Sequence, residues 1–284
     1  MTTVGAVVLP QVAPERLRDV ARAAEDAGLD ELWLWEDCFW TSGIATAAAM
    51  LAWTERLRVG VGLLPVPLRN VALTAMELAT LHRLCDGRAR VGVGHGVQSW
   101  MGQVGARVDS PMTLLREQLT AVRALLRGER LSTTGRYVNL DAVALDAPPA
   151  APQPVLVGAT GPRTLRLAGE LGDGTILTAS TTPEQVTAAR RLIDEGRAAG
   201  GRDEPHPVIV YLHAATGPDA TERLARSADY PGIGVAGDAR QVAEAVARYA
   251  EAGADTVVLQ PTLDDPDPEA FVRFAATEVA PLLR

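Results

Sequence analysis

Short apolar stretches alternate with helix-like segments along the whole chain. The stretches are Val4–Pro10, Glu31–Glu36, Arg58–Pro65, Ala89–Gly94, Pro154–Ala159, Gly174–Ala179, Pro207–Ala214 and Thr256–Pro261. Each reads as a strand, and eight strand–helix units are what closes a parallel (β/α)8 barrel, the TIM barrel. The 284 residues suit one such α/β domain of about 250 residues with modest insertions. A barrel of this kind places its chemistry at the carboxyl ends of the strands, so the residues after each stretch become the candidates.

Helix boundaries carry their own signals. Pro14 opens a helix that Gly28 stops, Ser42 begins an alanine-rich helix to Thr54, and Asn70 caps one that reaches Cys85. Ser110-Pro111 starts a helix to Gly128, Pro183 opens the sixth, and clean helices are expected over Asp238–Ala252 and Pro268–Leu283. Asp219–Tyr230 is irregular but helical in composition, and Gly96–Asp109 reads as a polar and aromatic loop. Leu131–Asp146 breaks the rhythm. Its Gly135-Arg136-Tyr137-Val138 core, followed by the prolines from Pro148 to Pro154, predicts a short hairpin inserted over the barrel before strand five. No repeat or interdomain linker appears, so residues 1–284 are expected to form a single domain.

Composition narrows the function. Net charge is −8 with no long basic tract, which disfavours nucleic-acid binding. No apolar run is long enough to span a bilayer, and the start of the chain lacks the charged region of a signal peptide. Together with only two cysteines, Cys38 and Cys85, this points to the cytoplasm. All 27 basic residues are arginine, so Schiff-base and lysine-base chemistry is excluded.

The strand ends supply the candidate chemistry. Gly158-Ala159-Thr160-Gly161-Pro162-Arg163 follows a strand and opens a helix, where backbone amides attract anions. Two readings stand side by side: a phosphate cradle with Arg163 as a bidentate contact, or a plain strand-to-helix turn. Thr178 and Ser180 at the next strand end add hydroxyls and favour an anionic ligand. Glu36 and Asp37 could divide acid and base roles, or one could cap a helix while another pairs with an arginine. Cys38 reads as a small packing residue rather than a nucleophile. His95, between glycines at the end of strand four, favours a functional role. His82 and His206 read as structural, His213 as a residue that could point inward, and no metal-ligand spacing is present. Trp40 and Trp100 fall in strand-end loops where they could wall a cleft for a flat ligand, whereas Trp33, Trp35 and Trp53 read as core.

Four stretches carry a resemblance. They are Leu32–Phe39, Asp86-Gly87-Arg88-Ala89-Arg90-Val91-Gly92-Val93-Gly94-His95-Gly96, Pro154–Leu177 and Ala250–Asp255. In order and spacing they resemble the bacterial luciferase-like monooxygenase family, within it the branch of deazaflavin (coenzyme F420)-dependent oxidoreductases. The resemblance implies a homodimeric barrel acting on a small organic substrate. Asp37, Gly62, Leu63, His95 and Gly96 would lie by the ring system, and Gly158, Ala159, Thr160, Gly161 and Thr178 would hold the phosphate-bearing tail. It also implies a non-proline cis peptide near Gly62–Leu63, whose bulge presses on the ring. Two departures stand out. Cys38 replaces a histidine that many relatives place there, and Thr181 stands where several deazaflavin relatives carry a lysine. The expected activity is hydride exchange between coenzyme F420 and the substrate, with His95 and Asp37 as the proton-handling groups. An FMN-dependent monooxygenase served by a separate flavin reductase is the first alternative, and a non-catalytic flavin-binding homologue the second.

Overall fold

The computed structural model describes residues 2–151, 153–227 and 233–283. The eight expected strands all form. They are β1 (Thr3–Val7), β2 (Glu31–Leu34), β3 (Arg58–Pro65) and β4 (Ala89–Gly94), then, after a hairpin of β5 (Leu131–Thr134) and β6 (Asn139–Val143), β7 (Val155–Gly158), β8 (Thr175–Leu177), β9 (Val208–Ala215) and β11 (Thr256–Gln260). A two-residue strand β10 (Val235–Ala236) extends the edge of β9 and was not expected. Every barrel pairing is parallel, and Thr175↔Val208, Ile176↔Ile209 and Leu177↔Val210 join β8 to β9 and close the cylinder.

Helices α1 (Leu17–Asp26), α2 (Gly43–Trp53), α3 (Val71–Leu84), α5 (Pro111–Leu126), α6 (Pro162–Leu171), α7 (Pro183–Ala199), α8 (Ala220–Ser227), α9 (Ala239–Glu251) and α10 (Pro268–Phe274) surround the barrel. The short α4 (Gln98–Gln103) sits inside the segment expected to be a loop. The start signals act as read. Ser42 accepts from the Ala45 amide and Asn70 from the Ala72 amide, while Asp238 and Gln241 form a reciprocal capping box. Gly28 takes the left-handed φ of +78° that ends α1. The last helix is shorter than expected: after Phe274 the chain widens into a π turn over Ala275–Val279 and ends in a tight 3-10 turn. The Tyr230 end of the irregular segment lies outside the described residues.

The core has two layers. Outward-facing strand residues such as Val59, Val91 and Val257 pack beneath the helices, and a smaller cluster around Trp33, Ile176, Ile209, Tyr211 and Val258 fills the barrel itself. Bulky residues fit the interior because the facing strands carry glycine. A Cβ on Gly60 would lie 2.2 Å from the Trp33 ring, and one on Gly92 would lie 2.5 Å from Ile176. Small residues also let α6 and α7 touch, since a Cβ on Gly169 or Gly196 would lie 2.0 Å from a carbonyl of the other helix.

The hairpin forms before β7 as expected, but its placement corrects the sequence reading. It lies along the flank of α5 rather than over the barrel. Glu117 of α5 accepts hydrogen bonds from the amides of Arg136, Tyr137 and Val138 at 2.8–2.9 Å, and the Tyr137 hydroxyl accepts from the Ser110 amide. The Glu117 carboxylate on α5 thus captures the hairpin turn.

Candidate active site

A cleft of about 730 Å3 opens at the carboxyl ends of the strands, well within the size range of small-molecule sites. Residues after β2, β3, β4, β7, β8, β9 and β11 line it. Asp37, Gly62, Leu63, His95, Gly96, Gly158, Ala159, Thr160 and Thr178 all reach the cleft, so segments up to about 140 residues apart in the chain converge there. Gly161 and Arg163 are not among the lining residues, although they follow directly on Thr160, which is.

The floor is set by β2, whose period of two points alternate residues inward. Glu31, Trp33, Trp35 and Asp37 therefore form a ladder up the barrel interior. The Trp33 indole donates to Glu31 at 3.0 Å inside the barrel, and the Trp35 indole donates to Asp37 at 2.8 Å in the cleft. Tyr211 of β9 stacks edge-on to Trp33 at 6.1 Å and tilted to Trp35 at 5.9 Å. Trp35 thus belongs to the cleft rather than to the core, contrary to the sequence reading. Trp100 on α4 also lines the cleft, while Trp40 is 58% exposed and is not among the lining residues.

One wall is the bulge of β3. The Gly62–Leu63 peptide is cis, as the resemblance implies, and a second cis peptide joins Cys38 to Phe39. Register with β4 shifts between Val61 and Leu64, and the Tyr211 hydroxyl donates to the Gly62 carbonyl at 3.3 Å. The Leu63 side chain then lies across two glycines: a Cβ on Gly94 would stand 2.5 Å from it, and one on Gly158 would stand 2.1 Å from it. Gly96 has φ +66° and would clash with Pro65 if it carried a side chain. Glycine in these strands makes room for Leu63 as well as for any ligand.

The two carboxylates after β2 part company. Glu36 accepts from the Gly43 amide at 2.8 Å, opening α2, and also forms a two-pronged pair with Arg69, itself held by Glu77 at 3.2 Å. It performs both structural tasks that had been open to it. Asp37 has only the Trp35 indole, and burial pushes its carboxyl above the ordinary range while that hydrogen bond works the other way. Burial, aided by the charges of Glu36 and Asp37, also raises the Cys38 thiol, which keeps it protonated and a poor nucleophile.

His95 of the β4 end bonds through Nε2 to the Thr164 hydroxyl at 3.1 Å. Burial holds the imidazole below its ordinary value, against the smaller opposing effect of the Pro111 carbonyl, so the ring is neutral near pH 7. Thr164 was missed from sequence. It lies on the first turn of α6, and only the fold brings it to β4. His213 also lines the cleft, as its place in β9 allowed, whereas His82 and His206 are buried away from it.

The remaining wall is the start of α6. Its N-cap, Gly161, offers no side-chain acceptor, and a Cβ built there meets nothing within 4 Å. Thr178 and Ser180 share a hydrogen bond at 2.8 Å on the adjoining loop. Uncapped amides, open space and paired hydroxyls make a cradle suited to an oxyanion. Beside it, the Trp35, Tyr211, Leu63 and Trp100 surfaces suit a flat ring. The residues present therefore fit a flavin-like group with an anionic tail. Among the described residues no three His, Cys, Asp or Glu side chains are grouped to hold a metal ion.

Comparison with known proteins decides the family. The luciferase-like monooxygenase model matches residues 1–233. The chain belongs to the luciferase-like monooxygenase family. A 5,10-methylenetetrahydromethanopterin reductase of Methanolobus tindarius is 30% identical over 226 residues, covering 80% of this chain and 68% of that protein. An F420-dependent glucose-6-phosphate dehydrogenase of Kineococcus radiotolerans is 35% identical over 211 residues, covering 68% of this chain and 61% of that protein. A solved F420-dependent secondary alcohol dehydrogenase, in complex with an F420-acetone adduct, superposes with a TM-score of 0.90 at 22% identity over 100% of this chain and 99% of its own. As a luciferase-like barrel the chain keeps the family's architecture over its whole length, while its sequence matches reach about two thirds of those relatives.

Proposed function

We propose that the chain is a coenzyme F420-dependent oxidoreductase, exchanging hydride with a small organic substrate. The observation that carries this reading is the union in one cleft of an uncapped, unobstructed α6 N-terminus with an aromatic and aliphatic ring-binding wall. The relatives named for F420 support the same cofactor. When bound, the deazaflavin supplies a two-electron hydride carrier.

The chain's own residues divide the remaining work. Gly158, Ala159, Thr160, Gly161 and Thr178 hold the phosphate-bearing tail, and Arg163, which forms no ion pair among the described residues, meets its outer charges. It takes the task that a lysine at Thr181 performs in several similar sequences. Gly62, Leu63 and Gly96 shape the ring site. Asp37 and His95 handle the proton, because each is buried at the cleft with few competing partners. The barrel excludes water and fixes the substrate against one face of the ring.

We read residues 1–284 as one domain, in a homodimer. Helix α2 is apolar on nearly every side although it sits on the surface, and neighbouring α3 exposes Leu73, Met76 and Leu84, the last by 75%. A second copy of the chain would cover them. Two unpaired cysteines support a reducing compartment, the cytoplasm. No helix among the described residues is long and apolar enough to cross a membrane.

Titrating cofactor-free protein with coenzyme F420 and with FMN, followed by ligand fluorescence, tests the reading. Tighter binding of F420 and turnover without a flavin reductase are expected. Preference for FMN, with oxygen consumption that depends on an added reductase, would make the chain a monooxygenase instead. Binding without any turnover would leave it a carrier.

A further inference from the structure

We propose that the substrate subsite admits an uncharged alcohol or carbonyl compound and rejects phosphorylated or carboxylated ones, with Asp37 as the group that meets the substrate oxygen. This deepens the reading above and rests on it for the identity of the hydride acceptor.

Charge is unevenly distributed around the cleft. In the closed order β1, β2, β3, β4, β7, β8, β9, β11, strands β2 and β8 face each other across the barrel. The side that favours anions, the α6 start with Thr178 and Ser180, follows β7 and β8. The opposite side follows β2 and carries Glu36 and Asp37. Among the described residues no arginine lines the cleft, and the chain has no lysine. Arg69, the guanidinium bound to Glu36, is spent on Glu36 and Glu77 and only 12% exposed. Once a tail occupies the anion-friendly side, what remains among the described residues is a pocket with an acidic floor and no guanidinium to balance it. A phosphate or carboxylate placed there would face Asp37 directly, and like charges in a desolvated site are strongly disfavoured.

The same pocket suits a hydroxyl. Asp37 holds one oxygen on the Trp35 indole at 2.8 Å. Its other oxygen is left to accept an O–H, and the Gln260 amide at the β11 end and the Trp35 and Tyr211 surfaces offer polar and apolar neighbours. In the oxidising direction the hydroxyl proton passes to the Asp37 carboxylate. A bound deazaflavin would supply the two-electron acceptor for the C–H hydride, so that the alcohol carbon would become a carbonyl. In reverse, protonated Asp37 donates to the carbonyl oxygen.

Cyclohexanol and cyclohexyl phosphate, which share a ring and differ in charge, test this. Tryptophan fluorescence and calorimetry follow their binding to cofactor-free and F420-loaded protein. Cyclohexanol is expected to bind at least about tenfold more tightly than cyclohexyl phosphate in both forms, the cofactor-free protein being kept in inorganic phosphate that fills the α6 cradle. Asp37→Asn should shrink that preference to within about threefold, and Gln260→Arg should reverse it. Equal or tighter binding of cyclohexyl phosphate, no response to cyclohexanol, or a preference untouched by Asp37→Asn would overturn the proposal. Failure of the cofactor reading shows separately, as absence of F420 binding, because the preference is read in cofactor-free protein as well.

Discussion

The two ends of the barrel are built from the same strands and treat charge in opposite ways. At the amino end, Asp173, Glu25 and Arg88 are each engaged several times over. Asp173 accepts from Arg123 and Arg202 at 2.7 Å each and from the Val155 amide at 3.0 Å. Glu25 gathers the amides of Glu55, Arg56 and Leu57 at 2.9–3.2 Å, and Arg88 bridges the carbonyls of Leu51 and Leu57 at 3.0 Å each. At the carboxyl end, among the described residues, the Asp37 carboxylate has a single indole donor, Gly161 leaves α6 without a side-chain cap, and the Thr178 and Ser180 hydroxyls bond each other. Protein partners take up these groups at the first end, and the second leaves Asp37 and the α6 start open to a ligand. The lesson is that unspent hydrogen-bonding capacity, more than the presence of polar residues, separates a working face from a supporting one.

The largest way to break this contrast is Asp173→Ala. Removing one carboxylate strands two partly buried guanidinium groups and an amide, for a loss of about 3 kcal/mol. A thermal melt should show it, with F420 affinity unchanged below the transition. Next in size is Gly158→Ala, whose Cβ would displace Leu63 from its 2.1 Å approach. Overpacking there should reduce stability by about 1–2 kcal/mol and weaken cofactor binding as well, as denaturation and titration together would show.

Gly161→Val sharpens the contrast. The site is open, so stability should move by less than about 0.5 kcal/mol, while cofactor affinity falls about tenfold. The smallest effect is one of pH. Burial lowers His206, at the amino end, to about 4, and the Thr175 hydroxyl lies 2.8 Å from its ring. A lowered histidine adds stability that is present above its unfolded value of about 6.5 and lost as pH falls toward 4. His206→Gln should flatten that part of the stability profile in denaturant titrations across the same window. Asp37 has the opposite sign. Its raised value means that stability is highest at acid pH and declines as pH climbs past about 3.9 toward the raised value.

Much of this was legible in the sequence, for physical reasons. Buried parallel strands leave dense apolar runs, and Ser42, Asn70 and Asp238 mark helix starts because their side chains satisfy orphaned amides. Strand-end positions then gave most of the cleft. What escaped was set by distance in space. Trp33 and Trp35 share one face of β2, and only height in the barrel makes the first core and the second cleft. That signal was available, since Trp35 stands two residues from Asp37. Thr164 had none, because its bond to His95 joins α6 to the end of β4. The hairpin was found but misplaced, because Glu117, which holds it, looks like any other helical surface glutamate until the turn amides are seen around it.

The most direct test sets three dissociation constants for coenzyme F420 side by side: those of the native chain, Gly161→Val and Asp173→Ala. If the carboxyl end is the ligand face, Gly161→Val binds about tenfold more weakly while Asp173→Ala binds like the native chain. Equal losses in the two variants, or none in Gly161→Val, would contradict that division of labour.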